Sequence, residues 1–222
     1  MGFESISWRH ATISAMTKNL WRSNLIESYN NHARERDAYA VDAWKVEERA
    51  NFLSLLHQEH KQSLLEIGAG AGKDSKFFHD QGLAVTCIDL SPEMVKLCRQ
   101  KGLAAHVMDM TRLDFPPNSL DAVYSLNSLL HIPKVEFPIV LENVKKVLKP
   151  TGLFYLGVYG GEEFEGIWEL DSYTPKRFFS FHADENIQKI TSEVFDLLSF
   201  KPLNVSSNNL HFQALILRKQ QA

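Results

Sequence analysis

Apolar residues along this chain fall into short dense runs, separated by polar, helix-forming stretches. From Lys61 onward the alternation is regular. "SLLEIG" reads as a buried strand, and "KDSKFFHDQG" as a helix stopped by Gly82. "LAVTCIDL" is a second strand. "SPEMVKLCRQKG" is a second helix, with Ser91 as N-cap, Pro92 at the first helical position and Gly102 as terminator. "LAAHVMDM" and "SLDAVYSLNSL" are the third and fourth strands. "KVEFPIVLENVKKVLKPTG" is a helix running into a turn, and "LFYLGVYG" is the fifth strand. Near-continuous apolar strands, each followed by a helix, predict a parallel sheet covered on both faces.

After Gly161 the rhythm breaks. "EEFEGIWELDSYTPKRFFSFHADE" is rich in aromatic residues and has no clear period; it leads into a helix, "ENIQKITSEV". "FDLLSF" and "HFQALILRK", joined by the turn-rich "KPLNVSSNN", predict a terminal antiparallel pair. No linker composition appears. The expected organisation is one sheet domain over 61–222, with an insertion at about 160–190, preceded by a helical arm or cap over 1–60.

Composition narrows the function classes. The 222 residues are 44% hydrophobic, enough for a substantial core. The formal charge of -3, with signs interspersed, argues against nucleic acid as the main partner, because such binding rests on phosphate neutralisation. Cys87 and Cys98 lack CxxC spacing and read as small buried hydrophobes in a reducing compartment. No metal site is expected. No apolar run approaches the roughly 18 residues of a membrane span, so a cytoplasmic location is expected. The segment between Glu4 and Glu27 lacks acidic residues but carries Arg9, Lys18 and Arg22, a composition loosely like a transit peptide.

The stretch "LLEIGAGAGKDS" carries the candidate chemistry. A strand, a glycine-rich turn and a helix start make a nucleotide-type cradle. A P-loop fails, because Ile67 stands where its first glycine belongs and Asp74 follows Gly72-Lys73. A dinucleotide fingerprint fails at Lys73, where its third glycine belongs. Glu66 ends the strand two positions before Gly68. A carboxylate there repels a pyrophosphate and suits a cofactor with a cationic amino group. The second strand ends in Asp89, placed to accept hydrogen bonds from ribose hydroxyls, and the third in Asp109-Met110, placed for an adenine edge.

"LLEIGAGAGKDS", "VTCIDLSPEMV", "VMDMTRLDF" and "VLKPTGLFYLGVYG" together resemble the successive motifs of class I S-adenosylmethionine-dependent methyltransferases. The resemblance spans about Lys61 to Gly161 and the terminal strand pair. It implies an α/β, Rossmann-like, seven-stranded and mostly parallel sheet of order 3-2-1-4-5-7-6. Strand 7 is antiparallel in that arrangement, and helices lie on both faces. It implies S-adenosyl-L-methionine as cofactor and S-adenosyl-L-homocysteine as product, with no metal. Glu66 and the backbone of Gly68, Ala69 and Gly70 would hold the methionine end, and Asp89 the ribose. Leu90 and Met94 would flank the adenine, Asp109 would accept from its amino group, and the Met110 backbone would meet a ring nitrogen. Asn127 would help to orient the cofactor. Asp74 reads either as a partner of the methionine amino group or as a solvated first-turn carboxylate. Met94 reads equally as helix packing, and Lys73 as a surface lysine.

The acceptor is less legible. Ser125-Leu126-Asn127-Ser128 stands where amino-methylating enzymes of nucleic acid and glutamine usually carry [DNS]-P-P-[YFW], and no Pro-Cys nucleophile is near. "SLNSLLHIPK" is more similar to bacterial-type small-molecule methyltransferases, in many of which a His occupies the place of His131. That residue is read as base or hydrogen-bond partner of the acceptor, or as a structural His before Pro133. The insertion, with Trp168, Arg177 and Phe181, reads as a mobile aromatic lid or as packing. Arg177 meets an anionic acceptor group or a nearby carboxylate. In the arm, Tyr29 and Tyr39 are candidates for the methionine end or the acceptor. The expected activity is methyl transfer to an O, N or C nucleophile of a small molecule by a monomer or homodimer. The alternatives are a protein or RNA methyltransferase, or a non-catalytic scaffold that binds the cofactor.

Overall fold

The computed structural model of the protein describes residues 15–169, 171–205 and 210–220. The basic N-terminal segment through residue 14 and the "SSNN" of the last predicted turn lie outside these residues. Three helices come first: α1 (Ala15–Asn31), α2 (Ala33–Ala38) and α3 (Ala43–Gln58). Then strands and helices alternate as β1 (Ser63–Ile67), α4 (Lys73–Asp80), β2 (Ala84–Asp89), α5 (Pro92–Gln100), β3 (Ala104–Val107), β4 (Leu120–Leu126), α6 (Phe137–Val147) and β5 (Leu148–Gly160). A hairpin of β6 (Phe164–Ile167) and β7 (Phe178–Phe181) follows, and the chain ends in α7 (Asp184–Ser192), β8 (Phe195–Leu203) and β9 (His211–Lys219).

The main sheet has the order β3-β2-β1-β4-β5-β9-β8. Leaving the β6–β7 hairpin out of the count, this is the expected 3-2-1-4-5-7-6. β1 to β5 run parallel, and β9 runs antiparallel to both β5 and β8. The period-two geometry of a strand sends successive side chains to opposite faces. Leu65, Ile67, Val123, Phe154 and Leu217 pack on one face, with Trp21 of α1, Val140 and Val144 of α6 and Ile187 of α7. Leu64, Tyr124, Leu153, Tyr155 and Phe212 pack on the other, with Phe52 and Leu56 of α3, Phe78 of α4 and Val95 of α5. The helices that precede the sheet therefore supply side chains to both cores. Among the described residues no helix is long and apolar enough to cross a membrane.

Two elements differ from expectation. The helix read as running into a Lys-Pro-Thr-Gly turn stops at Val147, and Leu148 already belongs to β5, fully buried and paired opposite Leu120. A register shift follows before Ala122 meets Leu153, with Thr151 in the left-handed region at φ 62°. The insertion, which showed no period, contains a two-stranded sheet. Its β7 carries apolar side chains on both sides, because Phe178 packs on Trp21 while Phe179 lies against His131. A strand enclosed on both faces loses the alternation by which a sequence reveals it.

Phe52 tests how firmly α3 belongs to the fold. Its ring is fully buried, with ring centres 5.4 Å from Tyr155, 5.9 Å from Tyr124 and 6.4 Å from Phe78. Phe52→Ala should lower the unfolding free energy by about 3–5 kcal/mol in a urea titration. A loss under about 1 kcal/mol would contradict this packing.

Candidate active site

The loop after β1 is shaped by close approach. The amides of Gly68 and Ala69 donate to the Ile88 carbonyl at 2.8 and 3.0 Å, which holds the loop against β2. Gly68 has φ +68°, and a Cβ there would collide with the side chain of Ser128, so only glycine fits. Asp89, at the end of β2, then bridges two loops. One carboxylate oxygen accepts from the Gly70 amide and the other from the Ser91 amide, both at 2.8 Å. Burial raises the pKa of Asp89, and these two amides and the nearby Arg36 charge oppose that shift.

Beneath the loop lies Glu66, 3% exposed. Burial pushes its carboxyl well above the usual range, and the charge of Asp74 adds to the effect. The Ser75 hydroxyl donates to it, and the Cys87 thiol donates in turn to Ser75 at 3.0 Å. Both cysteines are free and buried. Asp74 is also raised by burial, but Arg49 Nη1 donates to it at 2.9 Å and opposes the shift. Asp74 is therefore a paired carboxylate rather than a solvated one.

Above the loop is a cavity of about 460 Å³. Its floor is Glu66, Gly68, Ala69, Gly70 and Asp74, and Asp89, Leu90 and Met110 form one wall. Asn127 lies across from them. Its backbone stands at φ 57°, its amide donates to the Gly157 carbonyl at 2.7 Å, and its side-chain Oδ1 is buried with no partner. The roof comes from the arm, with Leu25, Tyr29, Arg36 and Tyr39 among its residues.

His131 closes the far end. It is buried, in a short 3-10 turn, and its Nδ1 lies 2.7 Å from the Phe178 carbonyl. A carbonyl only accepts, so Nδ1 carries the proton and Nε2 is the acceptor. The Tyr29 hydroxyl, 2.7 Å from Nε2, is then the donor. Burial lowers the His131 pKa to about 3, and the charges of Arg177 and Arg36 add to that. The imidazole is neutral at physiological pH.

Several expected site residues stand elsewhere. Met94 is fully buried against Ala33 and Ala71 and does not line the cavity. Asp109 is turned from the cavity: Oδ1 caps the next turn, accepting from the Thr111 amide and hydroxyl at 2.8 Å, and Oδ2 accepts from Arg22 at 3.0 Å. Trp168 and Phe181 pack on each other and on Phe164 in the hairpin, and neither lines the cavity. Arg177 is held by Asp171 at 2.7 and 2.9 Å and reaches the site only through Tyr29, to which Nη1 donates at 3.2 Å. The insertion supports the roof from behind instead of forming it. Its Tyr173 stacks on His32 at 3.9 Å, and its Thr174 and Pro175 carbonyls accept from Asn31 and Ser28.

Two contributors were not legible as such. Lys73 lines the cavity, and its ammonium donates to the carbonyls of Arg36, at 2.8 Å, and of Tyr39, tying the arm to the start of α4. A lysine in the first turn of a helix opposes the helix dipole, and that was the available signal. Arg36 lines the roof and gave no signal within the run "HARERDA".

A family model described as "Methyltransferase domain" matches residues 65–156, the span that builds the floor and the far wall. This part of the chain is thus similar to a methyltransferase domain, in agreement with the class I motifs in its sequence. The chain's fold resembles that of the Burkholderia thailandensis 1,6-didemethyltoxoflavin-N1-methyltransferase, solved with 1,6-didemethyltoxoflavin and S-adenosylhomocysteine. The TM-score is 0.73 at 20% identity, over 97% of this chain and 94% of that one. In sequence it is 28% identical over 152 residues to a phosphoethanolamine N-methyltransferase of Triticum aestivum, covering 65% of this chain and 30% of that protein. It is 28% identical over 128 residues to the malonyl-[acyl-carrier protein] O-methyltransferase of Serratia marcescens, covering 57% of this chain and 49% of that protein. The chain thus spans less than half the length of these two curated relatives.

The cradle fits that family's cofactor on three counts. A Cβ on Gly70 would meet nothing within 4 Å, so the loop leaves open space for the close approach of a ligand. The orphaned Oδ1 of Asn127 needs a donor, and an ammonium supplies one. A cation beside Glu66 restores the ionised form that burial disfavours. No group of three or more His, Cys, Asp or Glu side chains placed for a metal occurs among the described residues.

Glu66→Gln separates binding from folding. A raised folded pKa means that the stability contributed by Glu66 is complete below its ordinary value of 4.5 and is lost as pH rises through the folded value. The variant lacks that loss. Its ligand-free melting temperature should gain on the wild type between pH 5 and pH 8, while affinity for S-adenosylhomocysteine falls about tenfold or more by calorimetry. A stability difference independent of pH, with affinity unchanged, would contradict the assignment.

Proposed function

We propose that this protein transfers a methyl group to a nitrogen of a small molecule, with Tyr29 and His131 at the reacting end of the cavity. The observation that carries the reading is the fixed tautomer of His131. Phe178 holds its Nδ1–H, and Tyr29 faces its Nε2. S-Adenosylmethionine, when bound, supplies an electrophilic methyl group on a sulfonium. What remains for the protein is alignment, exclusion of water and control of the acceptor's proton.

A His with a pKa near 3 is a weak general base at neutral pH. It serves as a hydrogen-bond acceptor that orients Tyr29 or an acceptor N–H. That suits a nucleophile that arrives with a free lone pair near neutrality, as a ring nitrogen does, better than an alcohol or an alkylammonium, which must first lose a proton. The name of the Triticum relative, an N-methyltransferase of phosphoethanolamine, and that of the Burkholderia N1-methyltransferase support nitrogen as the methylated atom. The size of the cavity supports a small acceptor, since pockets of about 300–1,000 Å³ hold compact ligands. We infer that the assigned cofactor contacts are Glu66, the Gly68–Gly70 backbone, Asp89, Leu90, Met110 and Asn127, because these residues line the cavity together.

The test begins with a screen of amines and nitrogen heterocycles for S-adenosylhomocysteine release, with mass spectrometry on any hit. On the acceptor so found, His131→Ala should lower kcat about tenfold to a hundredfold through misalignment, with cofactor affinity within twofold of wild type. Equal loss of both would make His131 structural.

The pH profile gives an independent check. With the His131 pKa near 3, kcat/KM should show no His131-dependent limb between pH 5.5 and 8. A limb near pH 6.5 that disappears in His131→Asn would identify a true general base and overturn the orienting role.

A further inference from the structure

The cations that line the cavity are mostly engaged. Lys45 pairs with Asp42 at 2.8 Å, and Lys73 donates to arm carbonyls. Just behind the roof, Asp171 holds Arg177 in a two-pronged pair. Arg36 differs. Among the described residues its guanidinium makes one hydrogen bond, from Nη1 to the Tyr173 hydroxyl at 3.0 Å, and lies 5.1 Å from the Tyr29 ring centre. The carboxylates nearest to it in sequence are turned away: Glu35 accepts from the Tyr39 hydroxyl, and Asp37 pairs with Lys101 at 2.7 Å. A cavity-lining guanidinium thus sits beside the Tyr29 that meets His131, and among the described residues no carboxylate bonds it directly, although its charge reaches the buried Asp89.

Such a fork matches a carboxylate or phosphate in geometry as well as charge. Two aromatic residues, Tyr29 and Tyr173, fix its position, so little side-chain entropy remains to be lost on binding an anion. We propose that Arg36 recognises an anionic group, a carboxylate or a phosphate, of a molecule held in the cavity. This rests on the reading of the cavity as the methyl-transfer site. The group has two sources, the carboxylate of the methyl donor's methionine end or an anionic substituent of the acceptor.

Arg36→Gln removes the charge, and Arg36→Lys keeps the charge but not the fork. Calorimetry on each would use S-adenosylhomocysteine and 5'-methylthioadenosine, which lacks the amino-acid portion. If the donor's carboxylate is read, Arg36→Gln weakens S-adenosylhomocysteine at least tenfold and leaves methylthioadenosine unchanged, with Arg36→Lys in between. If the acceptor's anion is read, both affinities hold. Inorganic phosphate at millimolar concentration then raises the melting temperature of S-adenosylhomocysteine-loaded wild type but not of loaded Arg36→Gln. Equal weakening of both nucleosides, or no difference from wild type in affinity and phosphate response, overturns the proposal. Failure of the wild type itself to bind S-adenosylhomocysteine would instead overturn the reading of the cavity.

Discussion

The hydrogen bond between Tyr29 and His131 joins α1 to the 3-10 turn that follows β4, 102 positions away. Together with the burial of Trp21 and the bonds from Lys73 to the arm carbonyls, it holds the arm over the glycine loop. α1 and α2 thereby form the roof of a cavity whose floor the sheet provides. The joint is supported on every side. Phe178 fixes the imidazole, Arg177 donates to the tyrosine oxygen, and Asp171 holds Arg177. Asp171, Arg177 and Phe178 all come from the insertion, so that segment acts on the site both through Tyr29 of the arm and directly on His131. The arrangement is a chain of donors and acceptors in which each group has a defined role, and such networks specify one geometry more sharply than apolar contacts do.

The second constraint is the burial of acidic groups around the glycine loop. Glu66 and Asp89 are held above their ordinary pKa values by desolvation, and Asp74 is held there against its Arg49 partner. Such clustering destabilises the ligand-free protein and is relieved by a ligand that brings positive charge and hydroxyl donors. Perturbed carboxyls gathered at the carboxyl ends of parallel strands are what a binding site looks like before its ligand arrives. The fold alone does not decide the reaction. A [4+2]-cyclase, SpnF, is similar to this chain at a TM-score of 0.60 and 17% identity.

The parallel sheet was legible because its strands are continuous apolar runs and its helices carry recognisable caps. Ser91 accepts from the Met94 amide, as its place before Pro92 predicts. That Glu66, Gly68 and Asp89 meet at one cavity was legible because strand ends in such sheets face one side. Asp109 was misplaced for a related reason. β3 itself ends at Val107, a short 3-10 turn begins just after Asp109, and capping that turn together with Arg22 draws the carboxylate away from the cavity. The aromatic insertion was read by composition alone. Composition does not distinguish rings that pack on one another, such as Trp168 and Phe181, from rings that meet a ligand. Arg36 was invisible because its role depends on Tyr29 and Tyr173, which are distant in sequence and adjacent only in the fold.

On the proposed reading, a methyl donor lies on the glycine loop with its sulfur turned toward the Tyr29–His131 pair. A crystal structure with S-adenosylhomocysteine tests it most directly. We expect ribose hydroxyls on Asp89, the amino group beside Glu66 and Asn127, and the sulfur facing Tyr29 and His131 across a space open to an acceptor. A ligand bound outside this cavity, or one whose sulfur faces away from that pair, would contradict it.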